Sequence, residues 1–527
     1  MSPHRFAFVG TGSRAISFLE PLVTTYRDAN ELVALCDSSP TRMAYYNGLL
    51  AGDLGYHAVP AYPADQFDAL LRETRPQTVF VCSKDSTHHD YIIRSLRAGC
   101  DVITEKPMTI DAAKCRAILE AQRETGRRVR VAFNYRWAPF RTKVKELVAA
   151  GTIGRIRSVN LEYLLDTNHG ADYFRRWHSS AAESGTLLVH KSTHHFDLVN
   201  WWLDAIPAQV FAYGDLVFYG KVNAEARGDA RLTRYPRYTG EPAAANDPFR
   251  LDLDESEVFR RLYRAAEAES GYLRDRNVFR EGIDIPDQMS LNVRYRTGEL
   301  LTYSLVCYSP REGMRVCLNG DRGRIEYHEF IGTHMNRGVR PKDFKLDEKP
   351  GAAADGEWIR VFPHFQPDYL VPLPPAAGAH GGADAILCRH FFSGNAAPDA
   401  WQRTAGHEQG AASILVGIAG VESMRTNQPV NLSDLAPLRP DAWIDGVIDL
   451  VLHDAAAGEV WVLDWKTNRR QRGETDDALL DRLAEEYAPQ LSAYGECIAG
   501  FFPGSRVRRL VFSSVIGAWR ETPAEKF

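Results

Sequence analysis

Several side chains capable of acid–base chemistry lie close together near the middle of the chain. His190, Lys191, His194 and His195 fall within six positions, and Asp197 follows them. Residues four positions apart share one face of a helix, so His190 and His194 would present their imidazoles together. An imidazole titrates near neutral pH and could transfer a proton in a reaction. Two other interpretations stay open: a zinc site built from the three histidines, and histidines that only support the core.

A second group of residues, near the start of the chain, is suited to binding phosphate. The turn after a short apolar segment reads Gly10-Thr11-Gly12-Ser13-Arg14-Ala15. The first glycine permits a tight turn, the second lets the backbone approach a pyrophosphate, and the alanine allows close packing of helix on strand. The helix that follows would offer its free N–H groups to the phosphates. We therefore expect Gly10, Gly12, Ser13, Arg14 and Ala15 to bind a dinucleotide.

An acidic residue ends the next apolar segment and bears on the choice of cofactor. Asp37 stands about where a carboxylate would bind ribose hydroxyls. Its charge would repel a 2′-phosphate, which favours NAD over NADP. Ser38, Thr41 and Arg42 lie close by and leave NADP open as the alternative.

The elements that must position these groups alternate between strand and helix. The predicted strands of residues 1–135 are Phe6–Val9, Leu32–Cys36, Val79–Cys82, Val102–Thr104 and Val129–Phe133. Such alternation implies a parallel, doubly wound Rossmann sheet with helices on both faces. The chain has 527 residues, which suggests about three domains.

Composition restricts the class of protein. The net charge of −5 indicates no general affinity for nucleic acid or an anionic membrane. No apolar run is long enough to span a bilayer, and we expect no signal peptide. The eight cysteines are scattered, without the spacing of a zinc cluster or a disulfide framework. These features favour a cytoplasmic enzyme.

Three further motifs stand at the expected strand ends and carry a family resemblance. They are Ser83-Lys84-Asp85-Ser86-Thr87-His88, Thr104-Glu105-Lys106-Pro107 and Phe133-Asn134-Tyr135-Arg136-Trp137-Ala138-Pro139. Together with the glycine-rich turn, they make residues 4–437 resemble the Gfo/Idh/MocA oxidoreductases. The resemblance implies that Lys106 lies beside the nicotinamide and the reacting hydroxyl, where an ammonium can stabilise a developing negative charge. It also implies cofactor-side positions for Ser83, His88, Glu105, Asn134 and Arg136.

The same resemblance implies a second domain, residues 136–437, with an α+β fold and a large, mainly antiparallel sheet. Its predicted strands are Ser158–Leu165, Met289–Tyr295, Leu300–Tyr308 and Arg324–Tyr327. Glu255–Ala268 is predicted to be helical within a charged surface elaboration. Family members place substrate between this sheet and the cofactor, and they commonly form homo-oligomers through the sheet.

One departure from the family pattern affects the proposed chemistry. The family pattern Asp-x-x-x-His puts the general acid/base at His194, but His190 stands where the aspartate is usual. A second histidine holds an imidazole in one tautomer less well than an aspartate does. Proton transfer would then run through His194 with Lys106, or through Lys191.

The last part of the chain, residues 438–527, carries a different pattern. Asp449 ends the run Gly446-Val447-Ile448-Asp449, a hairpin follows, and Asp464-Trp465-Lys466-Thr467 comes next, before Gln490 and Tyr494. From about residue 440 this resembles the PD-(D/E)XK nuclease module of bacterial recombination helicase–nucleases. The resemblance implies Mg²⁺ bound by Asp449 and Asp464, with Lys466 activating a water. The module looks partial, so weak or absent nuclease activity is expected from a degraded fusion or a chimeric reading frame.

The leading prediction is an NAD- or NADP-dependent dehydrogenase that transfers hydride to or from a sugar- or cyclitol-like substrate. Two alternatives remain. One is a Mg²⁺-dependent nuclease, for which DNA would be a partner only if the C-terminal module is functional. The other is a non-catalytic sensor that binds NAD(P), which the histidine at position 190 keeps open.

Overall fold

The computed structural model places the chain in two compact units, Met1–Leu438 and Arg439–Phe527. Each unit is described by itself. The described residues are 2–332, 356–373, 382–394, 399–436, 438, 450–455, 457–466, 474–499, 501–502 and 504–522.

A seven-stranded sheet with flanking helices forms the first part of the larger unit. Its strands follow the order β3-β2-β1-β4-β5-β6, all parallel, and a two-residue strand at Ala405–Gly406 adds antiparallel to β6. This is the strand order of a doubly wound dinucleotide-binding fold. The elements are β1 His4–Val9, α1 Ile16–Val23, β2 Asn30–Asp37, α2 Pro40–Ala51, β3 Ala61–Pro63, α3 Phe67–Thr74, β4 Thr78–Val81, α4 His88–Arg97, β5 Asp101–Thr104, α5 Ala112–Thr125 and β6 Val129–Val131.

Local sequence explains why this sheet forms where it does. The central strand β4 is buried at every position, as expected for a parallel strand covered by helices on both faces. Gly10 has a φ of 89°, and a Cβ there would lie 2.5 Å from the carbonyl carbon of Cys82. Only glycine fits that close approach. Ser39 caps α2, since its hydroxyl accepts a hydrogen bond of 3.1 Å from the N–H of Arg42.

A nine-stranded sheet forms the second part of the larger unit. Its order is β14-β13-β12-β11-β7-β10-β9-β8-β16, and every pair is antiparallel except β7 with β10. The elements are α6 Pro139–Ala149, β7 Ile156–Asp166, α7 Thr167–Arg175, α8 Ala181–Ser184, α9 Leu187–His190, α10 Thr193–Leu203, β8 Pro207–Asp215, α11 Lys221–Ala226, α12 Glu257–Leu262, α13 Glu267–Ser270, β9 Gln288–Tyr295, β10 Leu300–Ser309, β11 Glu312–Gly320, β12 Gly323–Gly332, β13 Trp358–Pro363, β14 Tyr369–Val371, α14 Ala383–Phe392, β15 Ala405–Gly406, α15 His407–Thr426, β16 Val430–Asn431 and α16 Leu432–Leu435.

These two sheets confirm the predicted Rossmann domain followed by a domain with a large, mainly antiparallel sheet. The four predicted strands of the second domain are present as β7, β9, β10 and β12, and β8, β11, β13, β14 and β16 are additional. The segment Glu255–Ala268, predicted to be helical, is helical over most of its length but is not continuous. Two short helices, α12 and α13, flank a 3₁₀ turn at Arg264–Ala266. The buried ring of Tyr263, which reaches back to the Rossmann domain, stands at this break. The predicted domain limits at residues 135 and 437 stay predictions.

The described residues of the C-terminal unit form four strands and one long helix. The hairpin β17 Leu450–Asp454 and β18 Glu459–Lys466 is antiparallel, and β19 Arg506–Ser513 pairs parallel to β18. A parallel pair needs a crossover, which α17 Asp476–Ala499 supplies. The strand β20 Ala518–Glu521 pairs antiparallel with β19 and forms the last strand of the sheet. Its core contains Val462, Leu479, Leu483, Leu491 and Val511.

Throughout the described part of the chain, every helix is too short or too polar to cross a lipid bilayer.

Candidate active site

The side chain of Lys106 lies at the centre of the candidate site. It follows β5, and the peptide bond between Lys106 and Pro107 is cis. The Lys106 ammonium donates a hydrogen bond of 3.1 Å to the backbone carbonyl of His190, and Nζ lies 3.4 Å from His190 Nε2. Lys106 and His190, predicted as separate parts of the site, are therefore in direct contact.

A buried carboxylate holds His190 from the other side. Asp85 Oδ2 lies 2.5 Å from His190 Nδ1, and both residues are buried. A charged Lys106 can only donate hydrogen bonds, so Nε2 of His190 must accept the bond between them. The ring hydrogen then resides on Nδ1 and is donated to Asp85. The three side chains form a hydrogen-bonded chain from Asp85 through His190 to Lys106.

Burial shifts the protonation of this chain. Burial lowers the pKa of Lys106 to about 8, although the charges of Asp85 and Glu105 partly oppose the shift. Burial, followed by the charge of Lys106, lowers the pKa of His190 well below its ordinary value. Burial also raises the pKa of Asp85, and the Lys106 charge offsets part of that rise. The charge of Lys106 thus shifts Asp85 toward its carboxylate form, against the larger effect of burial.

The other predicted acid–base groups have different surroundings. Lys191 donates a hydrogen bond of 3.2 Å to the Tyr135 hydroxyl. Burial alone would lower the pKa of Lys191, but Tyr135 and neighbouring acidic groups raise it overall. The ring of His194 stacks on Tyr135 with centroids 4.0 Å apart. His195 Nδ1 lies 2.8 Å from the Tyr303 hydroxyl. These contacts leave Lys106 as the lysine suited to proton transfer.

Aromatic rings surround His190 on the side of the second domain. Tyr173 lies 5.5 Å, Trp177 5.9 Å and His178 4.1 Å from the His190 ring, measured between centroids. His178 Nδ1 is buried and has no hydrogen-bond partner among the described residues. Burial lowers the pKa of His178, which keeps its imidazole neutral. A neutral imidazole with a vacant polar atom can hydrogen-bond a ligand hydroxyl.

A charged network links the glycine-rich turn to Lys106. Arg14 Nε donates to Glu105 Oε1 at 2.6 Å, and its terminal nitrogens contact Asp384 at 3.1 and 3.2 Å. Asn134 Nδ2 donates to Asp384 Oδ1 at 2.8 Å. Asn134 Oδ1 is buried, without a hydrogen-bond partner among the described residues. An amide donor of a nicotinamide would satisfy that oxygen.

The glycine-rich turn also fits a dinucleotide. A Cβ on Gly12 would meet only the Tyr263 hydroxyl, at 3.8 Å, so this backbone face is accessible to a ligand. Asp37 lies at the end of β2, as expected, and Oδ2 accepts 2.6 and 2.9 Å hydrogen bonds from the N–H and hydroxyl of Thr11. Asp37 therefore shapes the turn as well as carrying charge toward the ribose position.

Three residues predicted to lie on the cofactor side make hydrogen bonds within the protein. Arg136 is buried, and its guanidinium forms a two-pronged ion pair with Asp197 at 2.6 and 2.7 Å, because a buried charge must be paired. The Arg136 guanidinium is thus paired inside the domain, and its predicted contact with the cofactor stays a prediction. The two ring nitrogens of His88 lie 2.8 and 3.0 Å from the carbonyls of Pro107 and Ser83, which makes His88 a brace between two loops. The Ser83 hydroxyl accepts a hydrogen bond of 2.8 Å from the Thr87 hydroxyl, within the loop that follows β4.

Sequence reasoning missed three residues of this site. Asp85 lies in the quoted loop after β4, and its position beyond a strand's carboxyl end could have signalled it. Asp384 follows the glycine-rich segment Gly381-Gly382. His178 adjoins Trp177, but nothing in the sequence relates it to His190. Long-range placement of this kind is visible only in the folded chain.

In the C-terminal unit, Asp464 and Lys466 stand two residues apart on β18. Asp464 Oδ2 lies 2.6 Å from Lys466 Nζ, and the Lys466 ammonium lies 4.0 Å from the centroid of the Tyr487 ring. Asp449 lies outside the described residues, so its relation to Asp464 is not seen. Within the described residues of both units, no three His, Cys, Asp or Glu side chains are grouped to hold a metal ion.

Comparison with known proteins places these observations in a family. Residues 4–133 match the family described as "Oxidoreductase family, NAD-binding Rossmann fold". Residues 145–432 match "Oxidoreductase family, C-terminal alpha/beta domain". Both are models of the Gfo/Idh/MocA family.

Individual relatives agree with this match. The chain is 37% identical to the Bacillus subtilis protein named "Putative oxidoreductase YteT", over 81% of this chain and 97% of that protein. It is 28% identical to an inositol 2-dehydrogenase of Rhizobium meliloti, over 40% of this chain and 57% of that enzyme. A levoglucosan dehydrogenase solved with NADH and L-sorbose has the same fold, with a TM-score of 0.54 and 16% identity over 82% of this chain and 99% of that one. The chain belongs to the Gfo/Idh/MocA family of oxidoreductases.

Proposed function

We propose that this oxidoreductase transfers hydride between NAD and a secondary hydroxyl or carbonyl of a sugar or cyclitol. The observation that carries the proposal is the contact of Lys106 with His190, in a buried site whose lysine pKa is about 8. A group with this pKa can take a proton from a hydroxyl and return it near neutral pH. When bound, the nicotinamide supplies or accepts the hydride, and the chain supplies the proton transfer.

Lys106 is the proposed catalytic residue. In its neutral form Nζ takes the proton of the reacting hydroxyl, and in its charged form it donates that proton to a carbonyl oxygen. His190 orients Lys106 and, through Nε2, offers the next proton-accepting atom. Asp85 holds the His190 tautomer that makes this acceptance possible. The contact described for His194 is its stacking on Tyr135, which does not single it out as the main acid/base. We therefore propose that His194 is a supporting group near Tyr135.

Two kinds of residue support a polyhydroxy substrate. The faces of Tyr173 and Trp177 can contact the apolar C–H faces of a sugar ring, and His178 Nδ1 can hydrogen-bond a hydroxyl. The resemblance to an inositol 2-dehydrogenase favours the same substrate class.

NAD is the proposed cofactor, with NADP as the alternative. The glycine-rich turn and Asn134 would hold it, and Asp37 would disfavour a 2′-phosphate. We also propose a homo-oligomer assembled through the nine-stranded sheet. A cytoplasmic location is proposed as well, because the seven cysteines whose side chains the structure describes are free thiols.

A screen for NAD reduction tests the proposal. Purified full-length protein would be incubated with NAD and a panel of cyclitols, aldoses and anhydrosugars, and reduced nicotinamide followed by absorbance. Turnover of at least one panel member supports a dehydrogenase. Binding of cofactor without turnover across the panel would favour the alternative of a non-catalytic NAD(P) sensor.

The C-terminal unit supports a second candidate function, a Mg²⁺-dependent nuclease. The specific observation is the pairing of Asp464 with Lys466 on β18, beside a parallel strand reached through α17. A carboxylate and a lysine so placed could bind Mg²⁺ and position a water for attack on phosphate. Mg²⁺-dependent cleavage of DNA that is lost in Lys466→Ala would support it. Equal cleavage by wild type and Lys466→Ala would assign the activity to a contaminant.

A further inference from the structure

A segment of the second domain folds over the edge of the cofactor domain. Residues 253–272, called the cap here, include α12 and α13. Arg42 of α2 donates a 3.3 Å hydrogen bond to the carbonyl of Leu262 and lies 5.6 Å from the centroid of the Tyr263 ring. The Tyr263 hydroxyl meets Ser13 of the glycine-rich turn, at 3.0 Å from the N–H and 2.9 Å from the side-chain oxygen. The cap therefore touches both the turn and the first residues of α2.

One carboxylate of the cap occupies the donors at the start of α2. Glu269 Oε1 accepts hydrogen bonds from the Ser39 hydroxyl and, at 3.1 Å, from the Thr41 N–H. Glu269 Oε2 accepts a 3.0 Å hydrogen bond from the Thr41 hydroxyl. Slight burial raises the pKa of Glu269, but these hydrogen bonds lower it overall, so the group is anionic at neutral pH.

These donors lie where a cofactor's adenosine ribose is expected. They follow directly on Asp37 at the end of β2, the place where a doubly wound fold distinguishes a 2′-hydroxyl from a 2′-phosphate. Ser39, Thr41 and Arg42 form a set of hydroxyl, N–H and guanidinium donors suited to a phosphate. In this chain Glu269 already holds three of those donors, and Arg42 is directed to Leu262 and lies 3.7 Å from Asp37.

The position of Glu269 is fixed by the rest of the cap. Two residues earlier, Glu267 forms a two-pronged ion pair with Arg237 at 2.6 and 3.0 Å on the opposite side. Tyr263 is buried against Ser13. These attachments hold the cap beside α2, where the exposed side chain of Glu269 reaches Ser39 and Thr41.

We infer that Glu269 is a specificity-determining residue, which excludes NADP by holding the 2′-phosphate donors of Ser39 and Thr41 and by adding a second negative charge beside Asp37. The inference rests on the proposed function, because it assumes that a nicotinamide dinucleotide binds this fold. It goes beyond that proposal by assigning the selection to the second domain as well as to β2. A ribose 2′-hydroxyl carries no charge and can approach the two carboxylates, whereas a phosphate is repelled by both.

Equilibrium binding of NADH and NADPH to full-length protein tests the inference. The variants are Glu269→Gln, which removes the charge, and Glu269→Lys, which reverses it. The control is Glu257→Gln, which removes a charge of the same sign from an exposed cap position whose ion pair is with Arg261. Nicotinamide fluorescence reports binding, and circular dichroism reports folding.

The expected result is an ordered gain in NADPH affinity. NADPH should bind Glu269→Gln about fivefold and Glu269→Lys about twentyfold more tightly than wild type, while NADH affinity changes less than about threefold, because only the 2′-phosphate faces the altered charge. Added salt should narrow the difference between the NADH and NADPH affinities of the wild type, since Glu269 is exposed to solvent. Glu257→Gln should behave as wild type.

Three outcomes would overturn the inference. Unchanged NADPH affinity in both Glu269 variants would remove Glu269 from cofactor selection, while wild-type NADH binding would leave the proposed function intact. Equal gains for NADH and NADPH would make the cap a general obstacle. Failure of every folded variant to bind either nucleotide would overturn the proposed function, and the inference with it.

Discussion

Lys106 Nζ lies 3.4 Å from Nε2 of His190, and His190 Nδ1 lies 2.5 Å from a carboxylate of a different loop, Asp85. The resemblance implied an aspartate at position 190 and made the histidine a weakness of the site. In the fold, the carboxylate of Asp85 instead contacts His190, which lies between Asp85 and Lys106. Asp85 can orient His190 and favour its proton acceptance, which is the task expected of the missing aspartate. In the proposed mechanism, His190 thus extends the proton path from Lys106.

The rate of substrate oxidation should depend on pH through Lys106. The neutral amine is the base, so kcat/KM for oxidation should rise about tenfold per pH unit below pH 8 and level off above it. The reverse reaction needs the charged form and should fall above about pH 8. Initial rates in both directions across this range test the assignment. A profile that is flat in both directions would exclude Lys106 as the titrating group.

Removal of the lysine amine should abolish chemistry while sparing cofactor binding. We expect Lys106→Ala to lower kcat by roughly a hundredfold to ten-thousandfold, the usual contribution of a general acid or base. NADH affinity should stay close to wild type, because phosphate binding depends on the glycine-rich turn. Lys114→Ala is the matched control, since Lys114 pairs with Asp111 on the surface. A fully active Lys106→Ala protein would contradict the proposed chemistry.

The carboxylate of Asp85 should act through His190 and Lys106. Its charge raises the pKa of Lys106, so Asp85→Asn should shift the pH profile for oxidation to lower pH. The variant should also lower kcat, because an amide can donate to His190 Nδ1 as well as accept from it and so no longer fixes the tautomer that leaves Nε2 as an acceptor. A purely structural role would lower activity without moving the pH profile, which makes the profile the decisive readout.

The buried pair of Arg136 and Asp197 should contribute to stability. Both side chains are almost fully buried, with 2% and 1% exposure. Asp197→Asn leaves the guanidinium charge without its partner and should cost about 3–5 kcal/mol of unfolding free energy. Chemical denaturation of the variant measures this loss.

The matched control for that prediction is a surface pair. Arg97 and Glu124 lie 3.1 Å apart with 60% and 48% exposure, so Glu124→Gln should change the unfolding free energy by less than about 0.5 kcal/mol. Replacing both buried partners, in Arg136→Met with Asp197→Leu, should recover much of the loss. An Asp197→Asn protein as stable as wild type would show that the pair is dispensable.

Sequence patterns were sufficient to predict the elements of the Rossmann sheet. They were insufficient to predict the long-range contacts between elements. The apolar strands and the glycine-rich turn predict the Rossmann sheet, because a parallel strand is buried on both faces and a phosphate turn needs glycine. Lys106 and His190 were both identified as site residues. The link between them through Asp85 depends on packing between the end of α9 and the loop after β4, 105 positions apart, which no local pattern encodes.

Arg136 and the cap illustrate two other limits. Arg136 lies in a family motif near the cofactor, yet its guanidinium is drawn into the core by Asp197. The sequence of the cap is charged and favours one helix, whereas burial of Tyr263 against Ser13 breaks it into two. In both cases a tertiary contact prevails over local preference.

Titration of the full-length protein with NADH, followed by nicotinamide fluorescence, tests the central claim most directly. Gly12→Val is the informative variant, since a side chain there finds room in the fold but would block the backbone face that meets the pyrophosphate. Gly48→Ala, at a helical position with open space around it, is the control. Saturable binding by wild type and Gly48→Ala, with at least about a tenfold loss in Gly12→Val, is the result that the account predicts. A folded wild-type protein that does not bind NADH, or a Gly12→Val protein that binds it equally well, would contradict it.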